Sequence, residues 1–176
     1  MPDFTLQPFA GQATAGLSLS GTIERRENVI ALSFVLAGDL EALAIPAPNN
    51  PDRADDLWQA TCFEMFWAAE AKENYWELNL APTGNWNVYA FSGYRRGMRR
   101  EEGIACPSFD ATRGPAHFVL STHLDLSGLH HGRPPLKVGL CAVLKEKSNR
   151  LTYWALAHPG EKPDFHAAAG FAIRLP

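Results

Sequence analysis

Strict alternation of apolar and polar side chains at every second position is the feature that most restricts how this chain folds. It recurs in four segments, which read LSLSGTIER, VIALSFVL, HFVLSTHLDL and LKVGLCAVL. In the second segment, for example, Ile30, Leu32 and Phe34 fall on one face. Because successive side chains of a β-strand point to opposite faces of its sheet, this pattern predicts half-buried strands. Helical periodicity is weak throughout the sequence, so helices are not expected to dominate the fold.

Segments rich in turn-forming residues separate the predicted strands. They read PAPNNPDRADD, APTGN, GRPP and HPGEKPD, and His130 and His131 before the third are predicted to lie in a solvated turn. About ten strands with such turns predict an all-β fold, an antiparallel β-sandwich. The length of 176 residues suits one domain spanning residues 1–176.

Charge and composition restrict the partners and the compartment. Sixteen Lys and Arg residues against nineteen Asp and Glu residues give a net charge of −3, which argues against nucleic acid or an anionic membrane as the partner. The first residues, MPDFTLQPFAG, have no basic region followed by an apolar run, so no secretory signal is expected. Three widely spaced cysteines indicate reduced thiols. We therefore expect a cytoplasmic protein.

Two neighbouring segments, TCFEMFWAA and YWELNLA, predict a hairpin whose register can be worked out. A slip of one residue would turn every side chain to the opposite face, so matching the apolar faces determines the parity of the pairing. This matching predicts Trp67 opposite Trp76 and Glu64 opposite Asn79.

The same argument extends to a third strand, WNVYAF. Matching apolar residues predicts Tyr89 and Phe91 in the core, and Trp86 on the second face with Glu64 and Asn79. Two interpretations of that face are open. It is either the wet face of an antiparallel sheet, or a surface on which an aromatic ring stacks on a sugar while polar side chains bond its hydroxyls.

Three other groups of residues have alternative interpretations. Glu64 and Glu77 are predicted to be diagonal neighbours about 7–8 Å apart at the backbone, from where their side chains could adjust to the spacing of a glycosidase pair. In HPGEKPDFH, His158, Asp164 and His166 either bind a metal or brace a loop by hydrogen bonds. The run YRRGMRREE is either a solvated loop or a source of one ligand-binding cation, Arg95.

Three segments in order, LWQATCFEMFW, YWELNLAPTGNWNVYAFSGYRRGM and YWALAHPGEKPDFH, resemble the DOMON-like proteins akin to carbohydrate-binding module family nine. The resemblance runs from about Leu57 to Phe171. It implies a β-sandwich with a binding rather than a catalytic role, and sugar or haem as the ligand class. In the sugar-binding relatives, tryptophans clamp the ligand and polar strand residues bond its hydroxyls.

The resemblance assigns those parts to Trp58, Glu64, Asn79 and Trp86. Haem-binding relatives use a Met and a His as axial ligands, whereas here Met65 is predicted in the core and Met98 in a loop, and no histidine is clearly matched.

Together these observations predict a non-catalytic domain that binds a small molecule, a carbohydrate by preference, without a metal or an obligatory cofactor. The predicted ligand-binding residues are Trp58, Glu64, Asn79, Trp86 and Arg95. Haem binding or a redox-associated role is the second hypothesis, and a protein-interaction module or a glycosidase-like enzyme is the third. The identity of any protein partner is open.

Overall fold

The computed structural model describes residues 3–12, 16–129 and 133–176, so the turn predicted at His130 and His131 lies outside the described residues. Within those ranges the chain forms twelve β-strands, three short 3-10 helices and no α-helix. No helix in the described part is long and apolar enough to cross a membrane. The strands are β1 (Asp3–Pro8), β2 (Ser18–Arg26), β3 (Val29–Ala37), β4 (Cys62–Ala69), β5 (Tyr75–Leu80), β6 (Trp86–Phe91), β7 (Arg99–Arg100), β8 (Ser108–Arg113), β9 (His117–Asp125), β10 (Leu136–Lys145), β11 (Leu151–Ala155) and β12 (Ile173–Leu175).

All of these strands belong to one hydrogen-bonded sheet. Its order is β7-β6-β5-β4-β10-β11-β1-β2-β3-β9-β8, with β12 paired to β10, and each of these pairings is antiparallel. Strand β1 joins two halves of the sheet, because Asp3–Leu6 pair with β2 while Gln7 and Pro8 pair with β11. The prediction of an all-β antiparallel fold is confirmed, with twelve strands where the sequence predicts about ten.

The sheet curls so that its two halves meet across an apolar core. Phe34 of β3 contacts Phe63 of β4, with ring centroids 5.2 Å apart, and Phe63 stacks on Phe118 of β9 at 5.7 Å. Strands β2, β3 and β9 alternate between buried and more exposed positions, as their sequence pattern predicts. These alternating strands therefore have one face in the core and one towards water.

Strands β4, β5 and β6 are instead buried on both faces along almost their whole length. Their outer face is covered by the segment 156–172, which follows β11. Within this segment, the His166 ring lies 5.0 Å from that of Phe66 on β4 and 5.1 Å from that of Phe91 on β6. Phe171 lies 6.1 Å from Phe66. A second, smaller apolar cluster thus forms on the far side of the sheet from the main core.

The predicted pairing of β4 with β5 is confirmed: Trp67 lies opposite Trp76, and Glu64 opposite Asn79. The predicted parity of β6 is wrong. Trp86 pairs with Leu80 and belongs to the main core.

Tyr89 and Phe91 accordingly lie on the outer face, where Tyr89 pairs with Glu77. Apolar matching fails for β6 because both of its faces are buried, so hydrophobicity does not distinguish them. The turn sets the register instead: Ala81 N–H donates to Asn85 O, and Gly84 N–H donates to Ala81 O with Gly84 at a φ of 95°.

Candidate functional site

A cavity of about 490 Å³ opens on the outer face of β4, β5, β6, β10 and β11. Glu64, Phe66 and Glu77 form its floor. Its walls and rim include aromatic, apolar and polar side chains, namely Trp58, Gln59, Phe91, Arg95, Met98, Val143, Leu151, Tyr153, Pro163, Phe165 and His166. The cavity therefore combines two carboxyl groups with a mostly apolar wall that includes several aromatic rings.

The two carboxyl groups of the floor are deeply buried. Glu64 is 2% exposed and Glu77 is 4% exposed. The Asn79 side chain donates to Glu77 Oε1 at 2.8 Å, and the Cys141 thiol donates to Glu64 Oε2 at 3.6 Å. Glu64 Oε1 has no hydrogen-bond partner among the described residues. One oxygen of the floor thus has hydrogen-bonding capacity that the protein itself does not use.

Burial shifts the protonation of both acids. Desolvation, and then the nearby charge of Glu77, raise the pKa of Glu64 well above its usual value. Desolvation also raises the pKa of Glu77 to about 7, against the opposing effects of the Asn79 hydrogen bond and the Arg95 charge. At neutral pH the pair therefore keeps a proton, so it can donate as well as accept a hydrogen bond.

His166 lines the cavity next to Glu77, and Tyr75 holds it in place. The Arg95 backbone N–H donates to Tyr75 Oη at 3.1 Å, and Tyr75 Oη lies 2.8 Å from His166 Nδ1. Burial lowers the pKa of His166 to about 4, so the imidazole is neutral at neutral pH. The tyrosine hydroxyl then donates to Nδ1, which leaves the proton on Nε2, 3.9 Å from Glu77 Oε2.

Arg95 is held at the rim by an ion pair with Asp164. Arg95 Nη2 lies 2.8 Å from Asp164 Oδ1, and the Tyr94 hydroxyl donates to Asp164 Oδ2 at 2.6 Å. Asp164 Oδ1 also accepts from the His166 backbone N–H at 3.2 Å. Asp164 thus braces the segment that covers the sheet, which is the alternative to metal binding that the sequence leaves open.

His158 does not join Asp164 and His166. Its Nε2 lies 2.9 Å from Gln7 O, and its ring packs against Phe9. Within the described ranges, no group of three or more His, Cys, Asp and Glu residues is arranged to hold a metal ion.

Trp58 lies in a 3-10 helix, Leu57–Gln59. Side chains on the outer face of β6 hydrogen-bond to the residues just before this helix and so hold it in place. The Tyr89 hydroxyl and the Asn87 amide both donate to Asp55 Oδ1, at 2.6 and 3.0 Å. Asp56 then turns the chain with a φ of 60°, a conformation that Asp tolerates better than most residues. The Trp58 ring packs edge-to-face on Tyr89, with centroids 5.8 Å apart.

The structure brings together three of the five predicted site residues, since Trp58, Glu64 and Arg95 all line the cavity. Asn79 is fully buried beside it and bonds Glu77. Trp86 does not line this cavity: it is 5% exposed, on the core face, and the Arg53 guanidinium lies over its ring at 4.4 Å.

Sequence reasoning did not assign Phe91 and His166 to the site. The alternation of side chains along β6 could have placed Phe91 there, but the sequence-based prediction turned the wrong face of β6 towards the core. For His166 the signal was only its place in a turn-rich segment.

No family model matches this sequence, and no curated protein does either. Solved structures do match. A protein from Bacteroides uniformis, described as a candidate carbohydrate-binding protein, has a TM-score of 0.71 at 13% identity over 97% of this chain and 84% of that one.

A carbohydrate-binding module of family 9 from Caldicellulosiruptor kristjanssonii matches in two complexes. The complex with glucose has a TM-score of 0.50 at 11% identity, covering 82% of this chain and 69% of the module. The complex with cellotriose has a TM-score of 0.52 at 8% identity, covering 88% and 72%. At these identities the likeness is one of fold.

Proposed function

We propose that this chain is a non-catalytic carbohydrate-binding domain whose sugar occupies the cavity over Glu64 and Glu77. The observation that carries the proposal is the cavity itself, in which buried carboxyl groups form the floor and aromatic rings form part of the walls. Its volume of about 490 Å³ is within the ~300–1,000 Å³ typical of small-molecule sites.

The side chains of the cavity suit the two kinds of surface that a sugar ring presents. Trp58, Phe91 and Tyr153 offer aromatic surface to the ring's C–H groups. Glu77, Gln59 and Arg95 offer acceptors and donors to its hydroxyls.

Several of these groups are already held before any ligand arrives. Phe91 stacks on Tyr75 at 4.7 Å, and Trp58 packs on Tyr89 at 5.8 Å. Little ordering of the walls is then required on binding, which favours affinity.

The structural neighbours support the same ligand class, because two of them are complexes with glucose and cellotriose. The sandwich architecture, the DOMON-like relationship and the cytoplasmic location predicted from the sequence belong to this proposal as well. The cavity suits a free sugar or the terminal sugar unit of a longer carbohydrate.

Haem binding is the second candidate function. It is favoured by one observation, namely that Met98 and His166 both line the cavity and match, in residue type, the axial ligands that the resemblance implies. Against it, His166 Nδ1 is bonded to Tyr75, and its Nε2 faces a carboxyl group.

Calorimetric titration of the purified protein with a panel of mono- and disaccharides tests the proposal. We expect at least one saturable sugar, with affinity reduced about tenfold or more in Trp58→Ala through loss of ring stacking. Phe109→Ala is the matched control, because Phe109 is a partly buried aromatic residue outside the cavity lining. If no sugar binds the folded protein, while hemin gives a visible absorption band that His166→Ala abolishes, the second candidate replaces the first.

A further inference from the structure

Among the described residues, no lysine or arginine forms an ion pair with the carboxyl groups on the cavity floor. The nearest arginine at the cavity, Arg95, is already paired with Asp164 at 2.8 Å. His166 is neutral, because burial lowers its pKa to about 4 and its Nδ1 accepts from Tyr75. Glu64 Oε1 is buried without a partner in the described structure. A buried carboxyl group in this situation either keeps its proton or needs a positive charge from outside.

The other groups packed around the pair do not supply that charge. Cys62 on β4 and Cys141 on β10 are buried thiols whose pKa is raised by desolvation, so they remain neutral. On β5, Asn79 is a neutral amide that already bonds Glu77. The remaining titratable neighbours, on β5, the loop after β6 and the segment 156–172, are Tyr75, Arg95, Asp164 and His166.

The aromatic residues in the walls above the Glu64–Glu77 pair favour a positively charged ligand. Trp58, Phe91, Tyr153 and Phe165 present aromatic rings to the cavity, and the negative face of such a ring attracts a positive charge. An anionic ligand would meet the acidic floor unfavourably.

We propose that the sugar bound in this cavity carries a protonated amine, so that its preferred ligand is an amino sugar whose ammonium group pairs with Glu77 and Glu64. This inference rests on the proposed function and names the ligand class for the same site. The ammonium group keeps its own protons and the carboxyl pair gives up one of those it holds, so binding releases up to one proton to the buffer.

The test compares glucosamine, glucose and N-acetylglucosamine by calorimetry at about pH 6.5, where an amine of this kind is protonated. Repeating the titrations in two buffers of different ionisation enthalpy measures the protons released. We expect glucosamine to bind about tenfold or more tighter than either neutral sugar. Only glucosamine should release a proton.

The variants Glu77→Gln and Glu64→Gln keep the shape of the side chain and remove its charge. In each, the ratio of glucosamine to glucose affinity should fall towards one, and proton release should disappear in Glu77→Gln. Glu27→Gln, an exposed change in the turn between β2 and β3, is the control and should keep the wild-type ratio.

Three results would overturn the inference while leaving carbohydrate binding intact. The first is that glucosamine binds no tighter than glucose, and the second is that the preference persists in both glutamine variants. The third is that ethanolamine, an amine without a sugar ring, matches glucosamine. The first needs only the wild-type protein, so it does not depend on how the variants fold. If no sugar binds, neutral or charged, the proposed function fails together with the inference.

Discussion

At the scale of single residues, the lining of the cavity includes three groups whose protonation differs between the folded and unfolded chain. The pKa of Glu77 is raised to about 7, that of Glu64 is raised well above its usual value, and that of His166 is lowered to about 4. Burial is the first cause in each case, since it disfavours the charged form of either kind of group. The folded protein thus holds two carboxyl protons that the unfolded chain releases near pH 4.5, while the unfolded chain holds an imidazole proton up to about pH 6.5.

These shifts predict how stability changes with pH. A raised carboxyl pKa stabilises the fold at low pH and loses that effect as pH rises, whereas the lowered pKa of His166 acts in the opposite sense. Between about pH 4.5 and 6.5 the folded state holds one proton more in total. The free energy of unfolding should therefore fall by on the order of 1 kcal/mol per pH unit.

Glu77→Gln removes one of the two carboxyl protons, so its stability should be nearly independent of pH over this window. Urea unfolding of both proteins at several pH values measures the two slopes. Equal slopes would mean that Glu77 is not protonated in the folded state.

At the scale of elements, the strands differ in how far their sequence specifies their neighbours. The register of β4 with β5 was predictable, because large apolar residues such as Trp67 and Trp76 mark one face while Glu64 and Asn79 mark the other. Strand β6 has apolar residues on both faces, because a segment that follows β11 covers its outer side. That cover is distant in sequence, so no local pattern on β6 reports it, and the assignment of Trp86 failed for this reason.

The corrected register makes a prediction about Trp86. Because its ring lies in the core, Trp86→Ala should cost about 3–5 kcal/mol of stability. The gentler Trp86→Phe should fold and keep the sugar affinity of the wild type, in contrast to Trp58→Ala. Urea unfolding and calorimetry on the same samples separate the two effects. Loss of sugar binding in a stable Trp86→Phe protein would contradict this placement and indicate that Trp86 contacts the ligand.

At the scale of the whole molecule, β1 connects the two halves of the curled sheet by pairing with β2 at one end and β11 at the other. The halves also share one core, in which Phe34 of β3 contacts Phe63 of β4. A fold joined in both ways is expected to unfold in a single cooperative step.

The distribution of tryptophan allows this cooperativity to be measured. The five tryptophans lie in or near β4, β5, β6 and β11, and β2, β3, β8 and β9 contain none. Phe34→Ala, on β3, should nonetheless shift the tryptophan-fluorescence transition in urea by the equivalent of about 3–5 kcal/mol. The transition followed by circular dichroism should coincide with it. Separate transitions would show that the halves unfold independently.

The cavity is assembled from distant parts of the chain. Its floor belongs to the sheet, whereas Pro163, Phe165 and His166 of the wall belong to the segment 156–172. Tyr75 and His166, which meet at 2.8 Å, are 91 positions apart in sequence. The segment includes no β-strand, and the main core lies on the other side of the sheet. Selection can therefore alter the segment 156–172 with little effect on the main core. A scaffold divided in this way lets ligand preference diverge among descendants that keep the same architecture, and it offers an engineer one contiguous stretch to randomise.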